Sequence, residues 1–170
     1  MTTLILTVVG SDRPGLVAAV ADVVDAHGGN WENSQLAELA GAFAGVIQVS
    51  VPDDREAALT SELRALDGLL TVTVHTGMDA APGAATSRPV SLQILGNDRP
   101  GIVREVSAVL RRHDLSIETM STETRDAAMA GGRLFEASVV AEVPASADLD
   151  ALRADLERLT TELQVDISLT

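Results

Sequence analysis

Near the start of the chain a short, β-branched apolar run, Leu4-Ile5-Leu6-Thr7-Val8-Val9, predicts a buried strand over 3–9. The period then lengthens. Leu16, Val17, Val20, Val23 and Val24 share one face of a helix that runs to about Ala26 and is stopped by Gly28-Gly29. Pro14, with its fixed φ, is expected in the first turn of that helix. Two extended segments follow over 30–40 and 43–51, with Gly41 turning between them. Pro52-Asp53-Asp54 ends the second of these and starts a helix whose Leu59, Leu63 and Leu66 are spaced i, i+4, i+7. Asp67-Gly68 then turns the chain into a fourth strand from Leu69 to His75, which completes the order βαββαβ.

The same order begins again 86 positions later. Gly10-Ser11-Asp12-Arg13-Pro14-Gly15 returns as Gly96-Asn97-Asp98-Arg99-Pro100-Gly101, and Val17, Val20, Val23 and His27 return as Val103, Val106, Val109 and His113. A period of half the chain means two copies of one domain and not a solenoid. In the second copy the pattern predicts strands over 90–95, 115–124, 133–143 and 163–169, with helices over 100–112 and 147–162. Leu149, Leu152, Leu156, Leu159 and Leu163 form a stripe that is too short for a coiled coil and reads as core-facing. Residues 77–89 are rich in Gly, Ala, Pro and Ser and lack periodicity. The expected division is therefore a first domain over 1–77, a linker over 78–89 and a second domain over 90–170. The second copy carries extra Ala- and Gly-rich residues in its hairpin, and 125–133 is expected to be a poorly ordered tip.

Two βαββαβ units predict an α+β protein made of two ferredoxin-like domains in tandem, each an antiparallel sheet with its helices on one face. Exposed sheet edges invite pairing, so docking of domains or formation of a homo-oligomer through sheet or helix packing is expected.

Composition narrows the function. The net charge is −13, with −8 in residues 1–85 and −5 in 86–170, so neither half offers the basic face that nucleic acid requires. All twelve basic residues are Arg, and there is no Cys, which excludes a disulfide framework and thiolate chemistry. No signal-peptide pattern and no membrane-length apolar run is visible, so the expected location is the cytoplasm, with no membrane partner. His27, His75 and His113 are too scattered for a metal site, and no nucleophile–base spacing, Walker loop or Rossmann fingerprint is present. The expectation is a non-enzyme without cofactor or metal. Trp31 reads as core or interface packing.

The repeated turn carries the chemistry. A strand, a Gly-containing turn and a helix start bring unpaired backbone N–H groups of Gly15, Leu16 and Val17, or of Gly101, Ile102 and Val103, to one point. A carboxylate is welcome there, and Asp12 or Asp98 beside it suits an ammonium, so a zwitterionic amino acid fits better than a phosphate. The competing reading is that each Asp caps the helix that follows it. The second copy is the slightly favoured site, because Asn97 offers a second polar side chain where the first copy has only Ser11.

Gly-x-Asp-Arg-Pro-Gly after the first strand of a βαββαβ unit resembles the ACT domain, a regulatory module that binds small molecules, often amino acids. The tandem arrangement is similar to the glycine cleavage system transcriptional repressor family. Gly29 to Ala37 resembles that family's second strand, with Asn33 and Gln35 standing where its pattern has Asp and Arg. The resemblance implies a ligand lying between domains, touching the turn after strand one and the start of strand two of a neighbour. It marks Asp12, Arg13, Gly15, Leu16 and Asn30 in the first copy. In the second it marks Asn97, Asp98, Arg99, Gly101, Ile102 and Ser116. It also implies sensing of a glycine- or serine-like amino acid and modulation of a protein partner, such as a transcription activator. The alternative is a ligand-free protein–protein interaction module.

Overall fold

The computed structural model describes residues 1–76, 87–127, 132–163 (the side chain of Leu163 excepted) and 165–170. It divides into two compact units, Met1–Asp79 and Ala80–Thr170. In the first, β1 (Thr2–Ser11) leads to α1 (Leu16–Ala26), β2 (Asn30–Leu39) and β3 (Ala42–Val51). A 3-10 turn at Asp53–Arg55 then runs into α2 (Glu56–Arg64), and β4 (Thr71–Thr76) closes the unit. The second unit repeats this as β5 (Arg88–Asn97), α3 (Ile102–Arg112), β6 (Ser116–Asp126), β7 (Arg133–Val143), α4 (Leu149–Leu163) and β8 (Val165–Leu169).

Each unit holds a four-stranded antiparallel sheet, in the order β2-β3-β1-β4 and β6-β7-β5-β8. The order follows from the alternation in the central strand. Leu4, Leu6 and Val8 point to the helices, as do Leu92, Ile94 and Val90, and all are buried. Ile47, Val49 and Val51 of β3 join them, with Leu16, Val20, Val23 and Val24 of α1 and Leu59 and Leu63 of α2 closing the core above. In the second unit Val106, Val109 and Leu110 of α3 meet Leu152, Leu156 and Leu159 of α4 over Ala137, Val139 and Ala141 of β7. The leucine stripe of α4 is thus core-facing at these three positions, with Leu149 partly buried at its edge. Trp31 packs against the first core with Leu36 and Phe43.

Several element ends depart from the sequence reading; α4 starts at Leu149 and not at 147, and β8 at Val165 and not at 163. Arg88 and Pro89, assigned to the linker by composition, are the first residues of β5, where they pair with Val143 and Glu142. Pro14 and Pro100 are not in the first helical turn. They precede the N-caps Gly15 and Gly101, whose φ values of 93° and 96° are left-handed. Leu69 and Leu70 are still in the turn after α2, held by bonds from their N–H groups to Leu66 O. In the long hairpin Arg125 and Asp126 end β6, Arg133 starts β7, and Ala127 N donates to Gly132 O at 3.0 Å. Those flanks are regular backbone, and the rest of the expected tip, 128–131, lies outside the described residues.

Candidate functional site

Both copies of the repeated turn are built the same way. β1 ends at Ser11 opposite Ala42, and the next residue, Asp12, donates its backbone N–H to Gly41 O at 2.9 Å. In the second unit Asp98 N donates to Arg133 O at 2.8 Å. The turn is therefore fastened to the tip of the β2–β3 hairpin, or to the start of β7, before it reverses into the helix. Two motif glycines serve this path besides the left-handed N-caps. A Cβ on Gly10 would stand 3.0 Å from Leu69 O, and one on Gly96 would stand 2.8 Å from the Cα of Val165, so the turn before β4 crowds Gly10 and the start of β8 leaves room only for Gly at 96.

Neither helix has a side-chain cap. Asp12 and Asp98 stand three residues before the N-cap, their backbone is committed to the hairpin, and their carboxylates make no cap bond. The capping reading of these two aspartates is overturned, and the first N–H groups of α1 and α3 have no intrahelical partner. A real Asp cap exists elsewhere, at Asp148, whose Oδ1 accepts from Asp150 N and Ala151 N at 3.0 Å each.

Other expected site residues are placed as follows. Asp12, Arg13 and Gly15 are exposed, as are Asn97 and Asp98. Leu16 and Ile102 are each 2% exposed with their side chains in the core, so they offer a ligand only backbone N–H. Asn30 pairs with Ser50, which pairs with Thr3, at the far end of β1 from Asp12. Ser116 pairs with Glu142, which pairs with Pro89, equally far from Asp98. Eight strand residues separate the two ends, roughly 26 Å. Within one domain these residues are not brought together.

The two arginines of the motif take different partners. Arg13 Nη2 donates to Gly68 O at 2.8 Å and closes one side of a shallow groove of about 400 Å³, whose walls include Ser11, Asp67 and Thr71. Arg99 Nη2 instead lies 3.2 Å from Glu105 Oε2. It borders a groove of about 490 Å³ that also takes in Val103, Arg104, Thr124 and Phe135. Gly41, Gly68, Glu105, Thr124, Phe135 and Arg133 were not expected at the site from the sequence. The hairpin residues were reachable through the β1–β3 pairing that a βαββαβ order requires. Glu105 was reachable by aligning the copies, since Ala19 stands 86 positions before it.

At the opposite end of the first helix of each domain sits a histidine–carboxylate pair. His27 Nδ1–H donates to Val23 O at 2.9 Å, and its Nε2 is 3.4 Å from Glu62 Oε2. His113 Nε2 lies 3.0 Å from Asp155 Oδ2, and Arg158 Nη2 is 2.6 Å from Asp155 Oδ1. The hydrogen bond from His113, aided by Arg158 and Arg112, holds the Asp155 carboxyl below its ordinary pKa. These pairs join α1 to α2 and α3 to α4. Among the described residues no group of three His, Asp or Glu is arranged for a metal, and no helix is long and apolar enough to cross a membrane.

Comparison with known proteins agrees with this architecture. ACT domain family models match residues 2–77 and 90–159. Over 170 residues the chain is 27% identical to the glycine cleavage system transcriptional repressor of Escherichia coli (strain K12), covering 98% of this chain and 88% of that protein. The Shigella flexneri protein of the same name matches to the same extent, at 27% identity. A crystal structure of an unknown protein from Galdieria sulphuraria superposes with a TM-score of 0.83 at 29% identity, over 99% of this chain and 96% of that one.

Proposed function

Since the chain belongs to the ACT domain family, as two tandem copies, we propose that it is a non-enzymatic regulator of the cytoplasm that senses a small amino acid, glycine- or serine-like, and modulates a protein partner. The observation that carries the reading is the uncapped helix start next to an exposed aspartate whose backbone is already spoken for. Its N–H groups and the positive end of the helix dipole suit the ligand's carboxylate. The Asp12 or Asp98 carboxylate, engaged in no cap, is left to meet the ammonium. An Asn30 amide can reach such a ligand only from a neighbouring domain, because its own domain holds it at the far end of the sheet from Asp12. Ligand binding would then tie domains together and shift the population toward the form a partner reads. The relatives named as glycine cleavage system transcriptional repressors support a partner in transcription and glycine as the first ligand to try.

The test is a thermal-shift screen of glycine, serine and the other amino acids, followed by calorimetry on Asp12→Asn and Asp98→Asn. A ligand specific to the folded state raises the melting point. If an aspartate meets the ammonium, its Asn variant should lose about 1.5–3 kcal/mol of binding, roughly ten- to a hundredfold in affinity, with the fold intact. No shift with any amino acid would overturn sensing and leave a ligand-free interaction module.

A further inference from the structure

The helices cover one face of each sheet, and the two remaining faces differ. In the first domain Leu4, Leu6 and Val8 point to the helices, so Ile5, Thr7 and Val9 of β1 point away from them, as do their neighbours Ala44, Val46 and Gln48 of β3. Val9 is 51% exposed and Val46 46%. β1, β3 and β4 hold no Asp, Glu or Arg, in a chain whose net charge is −13. The ionisable side chains that the four strands place on this face are Glu32 and His75. Glu38, the other acid of β2, pairs with Phe43, which packs toward the core. Glu32 sits at the bulge of β2, and its Oε2 accepts from Gln48 Nε2 at 3.2 Å. His75 of β4 pairs with Ile5, which pairs with Gln48. Glu32, Gln48, Ile5 and His75 therefore form one row across the sheet, with an exposed carboxylate at one edge and an exposed imidazole at the other. In the second domain the matching face sets Glu123, Glu136 and Asp166 in one row. There Thr170, opposite Ser91, stands where the first domain has His75 opposite Ile5.

We propose that this face of the first domain is the surface through which two copies of the chain pair, related by a two-fold axis that runs along the strands between β3 and β1. Such an axis leaves the row in place and exchanges its edges. Glu32 of each copy then meets His75 of the other, so a carboxylate accepts from an imidazole N–H at both ends of the row. Sheets pack face to face about 10 Å apart with strands nearly aligned, a gap these side chains bridge from both sides. Between the edges only neutral side chains oppose one another, so no charge is stripped of water. Strands of six to ten residues give a face of roughly 500 Å² in projection, and two of them withdraw on the order of 1,000 Å² or more, the lower range of a specific interface. The matching face of the second domain cannot pair with itself in this way, because exchanging its edges lays Glu123 over Asp166, carboxylate on carboxylate. The pairing does not rest on amino-acid sensing.

The test is sedimentation equilibrium of the full-length protein, without added amino acid, from about 1 to 200 µM, the range such an interface calls for. Wild type is compared with Val46→Arg, His75→Glu, the exchange variant Glu32→His with His75→Glu, and Ser138→Arg. Ser138 pairs with Gln93 as Val46 pairs with Thr7, so it is the matching position of the second domain. Far-UV circular dichroism checks that each variant is folded. Wild type should dimerise. Val46→Arg should weaken the dimer about a hundredfold or more, because a guanidinium is then buried between neutral faces. His75→Glu should weaken it about tenfold or more, since carboxylate meets carboxylate at both edges. The exchange variant restores an unlike pair at each edge and should return to within about threefold of wild type. Ser138→Arg should dimerise as wild type does. A wild type that stays monomeric overturns the proposal, as does a dimer that Val46→Arg leaves intact or that Ser138→Arg dissolves. An exchange variant that pairs no better than His75→Glu overturns the two-fold row, and this comparison decides alone if Val46→Arg does not fold.

Discussion

Gly15 and Gly101 hold a left-handed φ at the start of their helices, and a Cβ at Gly15 would touch nothing within 4 Å. Any cost of a side chain at Gly15 is therefore backbone strain alone. Gly15→Ala should lower stability by about 1–2 kcal/mol, and Gly15→Asn should recover part of it, since Asn tolerates this region better than Ala. Urea midpoints for the two variants check this; an Asn variant no better than Ala would contradict it. The same residues show what the sequence could and could not disclose. The repeated Gly-x-Asp-Arg-Pro-Gly announced a turn of special backbone, and the turn is there. Its phase was misread because Pro is favoured at the first helical position and Asp at the cap, while the left-handed Gly15 moves the helix start past both. Whether Arg13 or Arg99 would pair with a carbonyl or a carboxylate depended on groups 55 and 6 residues away, which no local rule reaches.

Among the elements, the helix pair of the second domain is clasped by His113 and Asp155 across α3 and α4. The Asp155 carboxyl titrates lower in the folded chain than its ordinary 3.8. A group shifted this way contributes stability that is complete above its unfolded pKa and is lost as pH falls through the folded one. Asp155→Asn should therefore be less stable than wild type at neutral pH, and the gap should close as pH drops below about 4. Denaturation midpoints followed from pH 7 to about pH 2 read this directly; a gap independent of pH would show that the carboxylate charge plays no part. The order and type of the elements were legible because the apolar period switches cleanly between 2 and 3.6. Their ends were less so. Gly- and Ser-rich composition hid the start of β5 at Arg88, which is fixed by pairing with Val143, a partner 55 residues away.

At the scale of the whole molecule, a charge of −13 spread over both domains opposes the approach of phosphates. A gel shift of the isolated protein at low salt, where attraction would be strongest, should show no retardation of duplex DNA. Steeply salt-sensitive retardation would refute this. The duplication was the most legible feature of all, since a period of 86 residues needs no structure to be seen. The difference between the two turns needed coordinates, because Glu105 by itself is an ordinary helix residue until its carboxylate is found beside Arg99. The fastening of each turn to its hairpin has one more consequence. The amide protons of Asp12 and Asp98 are bonded to Gly41 O and Arg133 O and to no other element of their sheets. Each exchanges with solvent deuterium only when its own turn lifts from its hairpin, so the two amides are independent clocks for local opening. One sample then times both turns at once, and the fluctuations of the two halves can be told apart without separating them.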